Sequence, residues 1–251
     1  MNTRRELLGW MAGAVAWTSE WPALESRRCE MGAPVNAEVP EVLDHILLGC
    51  NDLGRGIAFV EERTVVKAAF GGVHPGRGTQ NALLSLGERH YLEIIAPDPK
   101  QEGTAGAQSS VARLGLRELV EPRLVSWAAH PGSVAALAEK LKKAGVGAEG
   151  PTPGSRKRMD GRLLEWKTVN LADDAGGLLP FFIEWSAESV HPSVDAPKGC
   201  VLKKFWIESP QADELTKQFV AMGVEVEVKK GETPRLRARI AGPKSEMELS
   251  G

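Results

Sequence analysis

Two segments near the front of the chain each set a candidate metal ligand in an otherwise apolar strand: Leu43-Asp44-His45-Ile46-Leu47-Leu48-Gly49 and Arg89-His90-Tyr91-Leu92-Glu93-Ile94-Ile95-Ala96. A third strand of the same kind, Pro180-Phe181-Phe182-Ile183-Glu184-Trp185, comes much later. One imidazole or carboxylate in an apolar strand is costly to bury without a partner, and a shared metal ion is one partner that satisfies all three. Between the first two segments lies the turn-rich stretch Gly71-Gly72-Val73-His74-Pro75-Gly76-Arg77-Gly78-Thr79-Gln80-Asn81. Its glycines permit backbone shapes that other residues resist. No lysine and helix start follow it, so it is not a nucleotide-binding P-loop.

These residues are positioned by a unit that recurs from Leu43 onward. Apolar positions Leu53, Ile57 and Val60 share one helical face, as do Val134, Leu137 and Leu141, and again Leu215, Phe219 and Met222. Each helix follows a strand, Leu43–Gly49, Arg123–Ala128 or Val201–Ile207, and Gly145 and Gly223 stand where a left-handed cap is wanted. Later strands are expected near Val65–Ala69, Asn81–Gly87 and His90–Ala96; near Val146–Glu149, Leu163–Leu171 and Leu179–Trp185; and near Val224–Lys229, Leu236–Ala241 and Glu246–Leu249. Each unit is an open, curved sheet with a helix on one face. Its other face must pair, and pairing two units makes a cup.

Strand alternation selects what lines that cup. His45, Leu47 and Gly49 share a face; Tyr91, Glu93 and Ile95 share another. In the second unit Glu184 is expected inside with Phe182, leaving Phe181, Ile183 and Trp185 behind. On this reading His45, Glu93 and Glu184 point into one cavity. The competing readings are a hydrogen-bonded core histidine at 45 and buried pairs of Glu93 and Glu184 with Arg77 or Arg162. His74, Arg77, Asn81, Tyr91, Trp166 and His191 are candidate substrate contacts, while Trp127, Trp185 and Trp206 read as core.

Composition narrows the function classes. The 251 residues carry 31 lysines plus arginines against 33 acidic residues, so the field that nucleic-acid binding normally needs is lacking. The best basic cluster, Arg156, Lys157, Arg158, Arg162 and Lys167, is broken by Asp160 and Glu165 and reads as a solvated strand edge or loop. Cys29, Cys50 and Cys200 have no metal-binding spacing, and a disulfide framework is not expected; Cys50 and Cys200 read as small buried thiols. Thr3-Arg4-Arg5-Glu6-Leu7-Leu8, followed by a weakly apolar run to Trp17 and Ala14-Val15-Ala16, resembles a twin-arginine export signal, with Leu7 departing from the usual phenylalanine. The run is too short for a stable membrane span. Residues 1–39 are therefore expected to be signal and linker, and the protein to be exported; an ordinary amphipathic N-terminal helix, and a cytoplasmic protein, is the alternative.

At Leu43-Asp44-His45 with Asn51-Asp52-Leu53, His74-Pro75-Gly76-Arg77-Gly78-Thr79 with Asn81-Ala82-Leu83, Tyr91-Leu92-Glu93, and Gly177 to Trp185 with His191-Pro192, the chain resembles the glyoxalase-like domain group of the vicinal oxygen chelate superfamily. The resemblance implies an α+β fold of tandem βαβββ modules around a divalent metal, here over residues 41–193, with a third such unit at 198–251. It implies His45, Glu93 and Glu184 as ligands of Zn²⁺, Ni²⁺, Mn²⁺, Fe²⁺ or Mg²⁺, with Glu93 or Glu184 as the catalytic base. The second module's opening strand, Leu124-Val125-Ser126-Trp127-Ala128, offers no ligand; His74, His191 or water is left to complete the set. The implied activity is lyase or isomerase chemistry on a small oxygenated molecule through a metal-stabilised enediolate. The alternative is a non-catalytic small-molecule binding protein. The third unit has no histidine and reads as structural, covering the first two units or pairing with a second chain as a homodimer.

Overall fold

The computed structural model describes residues 38–102, 107–158 and 161–251, without the side chains of 107–109. The twin-arginine stretch, the Ala14–Ala16 site and Cys29 lie outside the described residues. Among the described residues twelve strands and five α-helices run in the order β1 (Leu43–Gly49), α1 (Leu53–Thr64), β2 (Ala69–His74), β3 (Thr79–Ser85), β4 (Tyr91–Pro97), α2 (Ala107–Arg113), β5 (Arg123–Ala129), α3 (Val134–Lys143), β6 (Ala148–Lys157), β7 (Leu163–Leu171), β8 (Phe181–Trp185), α4 (Pro192–Asp195), β9 (Val201–Ser209), α5 (Ala212–Met222), β10 (Glu227–Lys230), β11 (Arg235–Ala241) and β12 (Glu246–Ser250). Among the described residues no helix is long and apolar enough to cross a membrane.

The first eight strands form one sheet in the order β2-β3-β4-β1-β5-β8-β7-β6. Each half is a βαβββ module whose opening strand lies parallel to its closing strand, β1 beside β4 and β5 beside β8, and the halves join through antiparallel β1 and β5. Helix α1 starts where the Asp52 carboxylate accepts from the Arg55 N–H, and α3 where the Ser133 hydroxyl accepts from Ala136; each cap satisfies an N–H that the first turn leaves open. Gly145 and Gly223 follow α3 and α5 at φ +71° and +77°, the left-handed backbone that glycine adopts without a Cβ clash.

The third unit, β9-α5-β10-β11-β12, repeats the element order but not the pairing. Its sheet runs β10-β9-β11-β12, so the opening strand pairs with the strand after the helix rather than with the last. It packs behind the first sheet. Trp127 of β5, fully buried, meets Phe205 of β9 and Phe219 of α5 with ring centroids 5.2 and 6.1 Å apart. One apolar cluster thereby joins Ile46, Leu48, Leu92 and Ile94 to Leu202, Leu215, Leu236 and Ile240.

Two segments narrow the concave face. Residues after β4 place Val111, Leu114, Leu116 and Leu119 against Leu47 and Ile95 at one end. At the other, the strap through α4 lays Ala196 on Leu83 and Tyr91. Arg158 and Arg162 grip Asp195 of that strap. What remains is a cavity of about 110 Å³. Cys50 and Cys200 are buried free thiols.

Two expected boundaries are corrected. The strand expected near Val146–Glu149 is the longer β6, which starts at Ala148 and continues to Lys157. The strand expected near Val65–Ala69 lies later: β2 begins only at Ala69 and runs through Gly71 and Gly72 to His74, so the glycines are strand and not turn. The β2–β3 register slips between Phe70 and Gly72, and such an irregularity keeps a strand going where the glycines suggested that it stops.

Candidate active site

The cup is lined by both modules. His45, Leu47, Tyr91, Glu93 and Ile95 face it from β1 and β4, as strand alternation indicates, and Ile46, Leu48, Leu92 and Ile94 face the helices. His74, Arg77, Asn81 and Trp166 also line it.

At its floor Glu93, 7% exposed, is held between two donors. Its Oε2 lies 3.3 Å from His45 Nε2, and its Oε1 accepts from Asn81 Nδ2 at 2.7 Å. The Arg156 guanidinium donates to Asn81 Oδ1 at 3.1 Å, which fixes the amide's orientation. The amide nitrogen therefore also faces His74 Nε2, at 3.3 Å. That nitrogen then accepts, leaving the proton on His74 Nδ1, 2.8 Å from the Thr79 hydroxyl. His74 is thus a neutral imidazole. Burial, the largest influence on it, likewise pushes its pKa below the ordinary value, with Arg156 and Arg77 adding to the effect against the pull of Glu93.

Behind His45 stands Asp44, a residue not singled out from the sequence as a site member. Neighbours in a regular strand point to opposite faces, yet Asp44 Oδ1 is 2.6 Å from His45 Nδ1. The reason is a bulge in β1: Leu43 and His45, two residues apart, pair with the adjacent Ala129 and Ala128 of β5. The other Asp44 oxygen accepts from Trp185 Nε1 at 3.0 Å and meets His191 Nε2 at 3.2 Å. Tyr91 stacks on His45 at 4.3 Å between centroids and 17° between planes.

The electrostatics follow from this packing. Burial disfavours the His45 cation, but Asp44 and Glu93 on its two nitrogens outweigh that and raise its pKa to about 9. Burial raises Glu93, and the His45 imidazolium and the Asn81 amide on its two oxygens reverse the sign, bringing it down to about 2. Asp44 is likewise held below the usual carboxylate range against burial by His191 and His45. The floor is therefore an imidazolium between two carboxylates. Burial pushes Tyr91 well above 10, keeping its phenol protonated.

Four expectations are corrected. Glu184 does not enter the cup. Phe181, Ile183 and Trp185 line it instead, Phe182 is 1% exposed in the core, and the Glu184 carboxylate accepts from the Val134 N–H at the start of α3, 2.8 Å away. The alternation was right and its phase inverted, because a large aromatic sits on either phase of β8 and a carboxylate at a helix N-terminus is favourable without metal. Arg156, grouped with a solvated edge, is 6% exposed and lines the cup. Trp185, read as core, is a cup wall and an Asp44 donor. His191, expected as a substrate contact or fourth ligand, does not line the cup and lies behind Asp44, its Nδ1 2.8 Å from the Ser193 hydroxyl.

The donor set bears on the metal that the resemblance implies. Among the described residues no three His, Cys, Asp or Glu side chains gather so as to hold an ion. With Glu184 turned away, His45 and Glu93 remain; their nearest atoms are hydrogen-bonded to each other, and His74 lies 3.6 Å from the other Glu93 oxygen. The three-ligand set read from the sequence does not fit this arrangement.

The profile of the glyoxalase-like domain matches residues 43–223, and a search of curated protein sequences gives no match. Among solved structures, a hypothetical protein from Staphylococcus aureus superposes with a TM-score of 0.58 at 18% identity, over 83% of this chain and 84% of that one. Methylmalonyl-CoA epimerase from Mycobacterium tuberculosis gives 0.43 at 18% identity, over 63% and 95%. A Streptomyces coelicolor methylmalonyl-CoA epimerase variant in complex with 2-nitronate-propionyl-CoA gives 0.41 at 20%, over 61% and 99%. Paired βαβββ modules closing on a shared cup, with the profile spanning both modules and reaching into the third unit, place the chain in the glyoxalase-like domain family of the vicinal oxygen chelate superfamily.

Proposed function

We propose that the cup carries out isomerase- or lyase-type proton transfer on a small oxygenated molecule. The observation behind this reading is Glu93: an ionised, nearly buried carboxylate on the wall of a small cavity, held from the side by His45 and Asn81. In the reaction Glu93 takes a proton from the carbon next to a substrate carbonyl, and the C–H electron pair moves into the carbonyl to give an enediolate or enolate. Delivery of that proton by Glu93 to the adjacent oxygen-bearing carbon, with the hydroxyl proton passing between the two oxygens, gives an isomer; loss of a leaving group with its electron pair from the neighbouring carbon gives a lyase product. Asp44 fixes the His45 ring, and the imidazolium fixes Glu93. A divalent ion at this floor, of whatever identity, would displace the His45–Glu93 hydrogen bond. Elemental analysis of the wild type against His45→Ala and Glu93→Ala measures that occupancy directly.

The test is solvent-deuterium incorporation, read by proton NMR, over a panel of α-hydroxy and α-oxo carbonyl compounds. Exchange at the α-carbon, lost in Glu93→Gln, supports the reading; equal exchange by Glu93→Gln defeats it. One observation favours non-catalytic sequestration instead: a carboxylate held at a pKa of about 2 is a weak base. Calorimetric binding of a compound that never exchanges would establish that second reading. Export, read from Thr3-Arg4-Arg5, and a homodimer belong to the same proposal. N-terminal sequencing of protein from the native host's extracytoplasmic fraction tests the first, and light scattering at micromolar concentration tests the second.

A further inference from the structure

Arg156 is a cation out of place. It sits in β6 near the end of a strand whose other side chains are largely exposed, yet its own is 6% exposed. Among the described residues its guanidinium reaches no carboxylate within ion-pairing distance, and its hydrogen bond goes to the amide oxygen of Asn81. A buried guanidinium with one neutral acceptor keeps most of its five N–H donors for something else.

The fold makes room for it. A Cβ on Gly71 would stand 2.7 Å from an Arg156 terminal nitrogen and 2.4 Å from Asn81 Oδ1, and one on Gly72 would stand 3.0 Å from Arg156 Cδ. Gly72 also holds φ +139°. The two glycines lie in β2, the opposite edge of the eight-stranded sheet from β6. Where the curled edges approach, the missing side chains leave a slot through which Arg156 crosses from the second module to the first module's floor. Trp166, stacked over Gly154 so closely that a Cβ there would lie 2.5 Å from its ring nitrogen, forms the adjoining wall.

We propose that Arg156 is the anchor for a carboxylate on the substrate, setting the neighbouring carbon against Glu93. The proposal rests on the cup being the reaction site as read above, and it adds the substrate class: a small α-oxygenated carboxylic acid. A planar carboxylate matches the guanidinium fork in two parallel hydrogen bonds. It also supplies the negative charge that the buried cation lacks at hydrogen-bond distance. Asn81 ties the two functions together, because the amide that steadies Glu93 with its nitrogen steadies Arg156 with its oxygen.

Malonate and its uncharged counterpart malonamide are the probes, measured by isothermal titration calorimetry with the full chain. The wild type is expected to bind malonate and not malonamide. Arg156→Gln is expected to weaken malonate about tenfold to a hundredfold, and Arg156→Lys to fall between. Thermal melting checks folding; if Arg156→Gln does not fold, Arg156→Lys and Gly72→Ala carry the comparison, each with weakened malonate binding. Failure of the wild type to bind malonate, equal binding of malonamide, unchanged malonate affinity in the folded Arg156 variants, or tighter binding of inorganic phosphate than of malonate would each overturn the assignment. Binding of malonate without deuterium exchange in any carboxylic acid would leave the anchor standing while ending the catalytic reading.

Discussion

Replacing Asp44 with asparagine tests the charge arrangement at the cup floor most directly. Asp44 is 2% exposed and contacts His45, Trp185 and His191. An amide oxygen can still accept from a donor, so shape and much of the hydrogen bonding survive; what is lost is the charge opposite the His45 imidazolium. His45 titrates near 9 in the fold against 6.5 for the free side chain, a difference of about 3 kcal/mol in favour of the folded protein while the ring is protonated. The sign is fixed by that direction. A raised pKa contributes fully below 6.5 and is lost as pH climbs through 9. Asp44→Asn should therefore lower the melting temperature by about 5 to 10 °C near pH 6, and the deficit should shrink toward pH 9.5, where the wild type has itself lost the proton. Scanning calorimetry at both pH values, with imidazole nitrogen NMR to follow the His45 proton, measures it. A deficit that is the same at both pH values, or a variant as stable as the wild type, would refute the buried imidazolium.

Other substitutions separate site from scaffold. Glu184→Ala removes a carboxylate from the start of α3 and should cost about 1 kcal/mol in urea unfolding while leaving malonate binding at the wild-type value. Gly177→Ala would put a Cβ 2.2 Å from the Val125 carbonyl oxygen at φ +90°, so a loss of at least about 2 kcal/mol or failure to fold is expected, read by the same melts. Trp127→Ala, at the junction of the two sheets, should cost about 3 to 5 kcal/mol. On the acid side, Glu93 is held down at about 2 against an ordinary 4.5. Its contribution is present above 4.5 and lost as pH falls toward 2, and Glu93→Gln should flatten that part of the acid-unfolding curve.

The residues alone determined the module plan. Helical faces such as Val134, Leu137 and Leu141, the strands that precede them, and the alternation that puts His45 with Leu47 and Glu93 with Tyr91 are local periodicities, and local periodicity survives without coordinates. The third unit's element order was legible for the same reason; its strand pairing was not, because pairing is chosen by long-range contacts. Tertiary structure decided three matters at the site. The phase of β8, and with it Glu184, depended on which of two adjacent phenylalanines found the deeper core. The meeting of Asp44 with His45 depended on a bulge, one extra residue that no pattern of residue types announces. The entry of Arg156 depended on two sheet edges curling until the glycines of one faced the arginine of the other, residues more than eighty positions apart in the chain. Strand alternation constrains a side chain to one of two faces; only the packing of the whole sheet says which face is the inside.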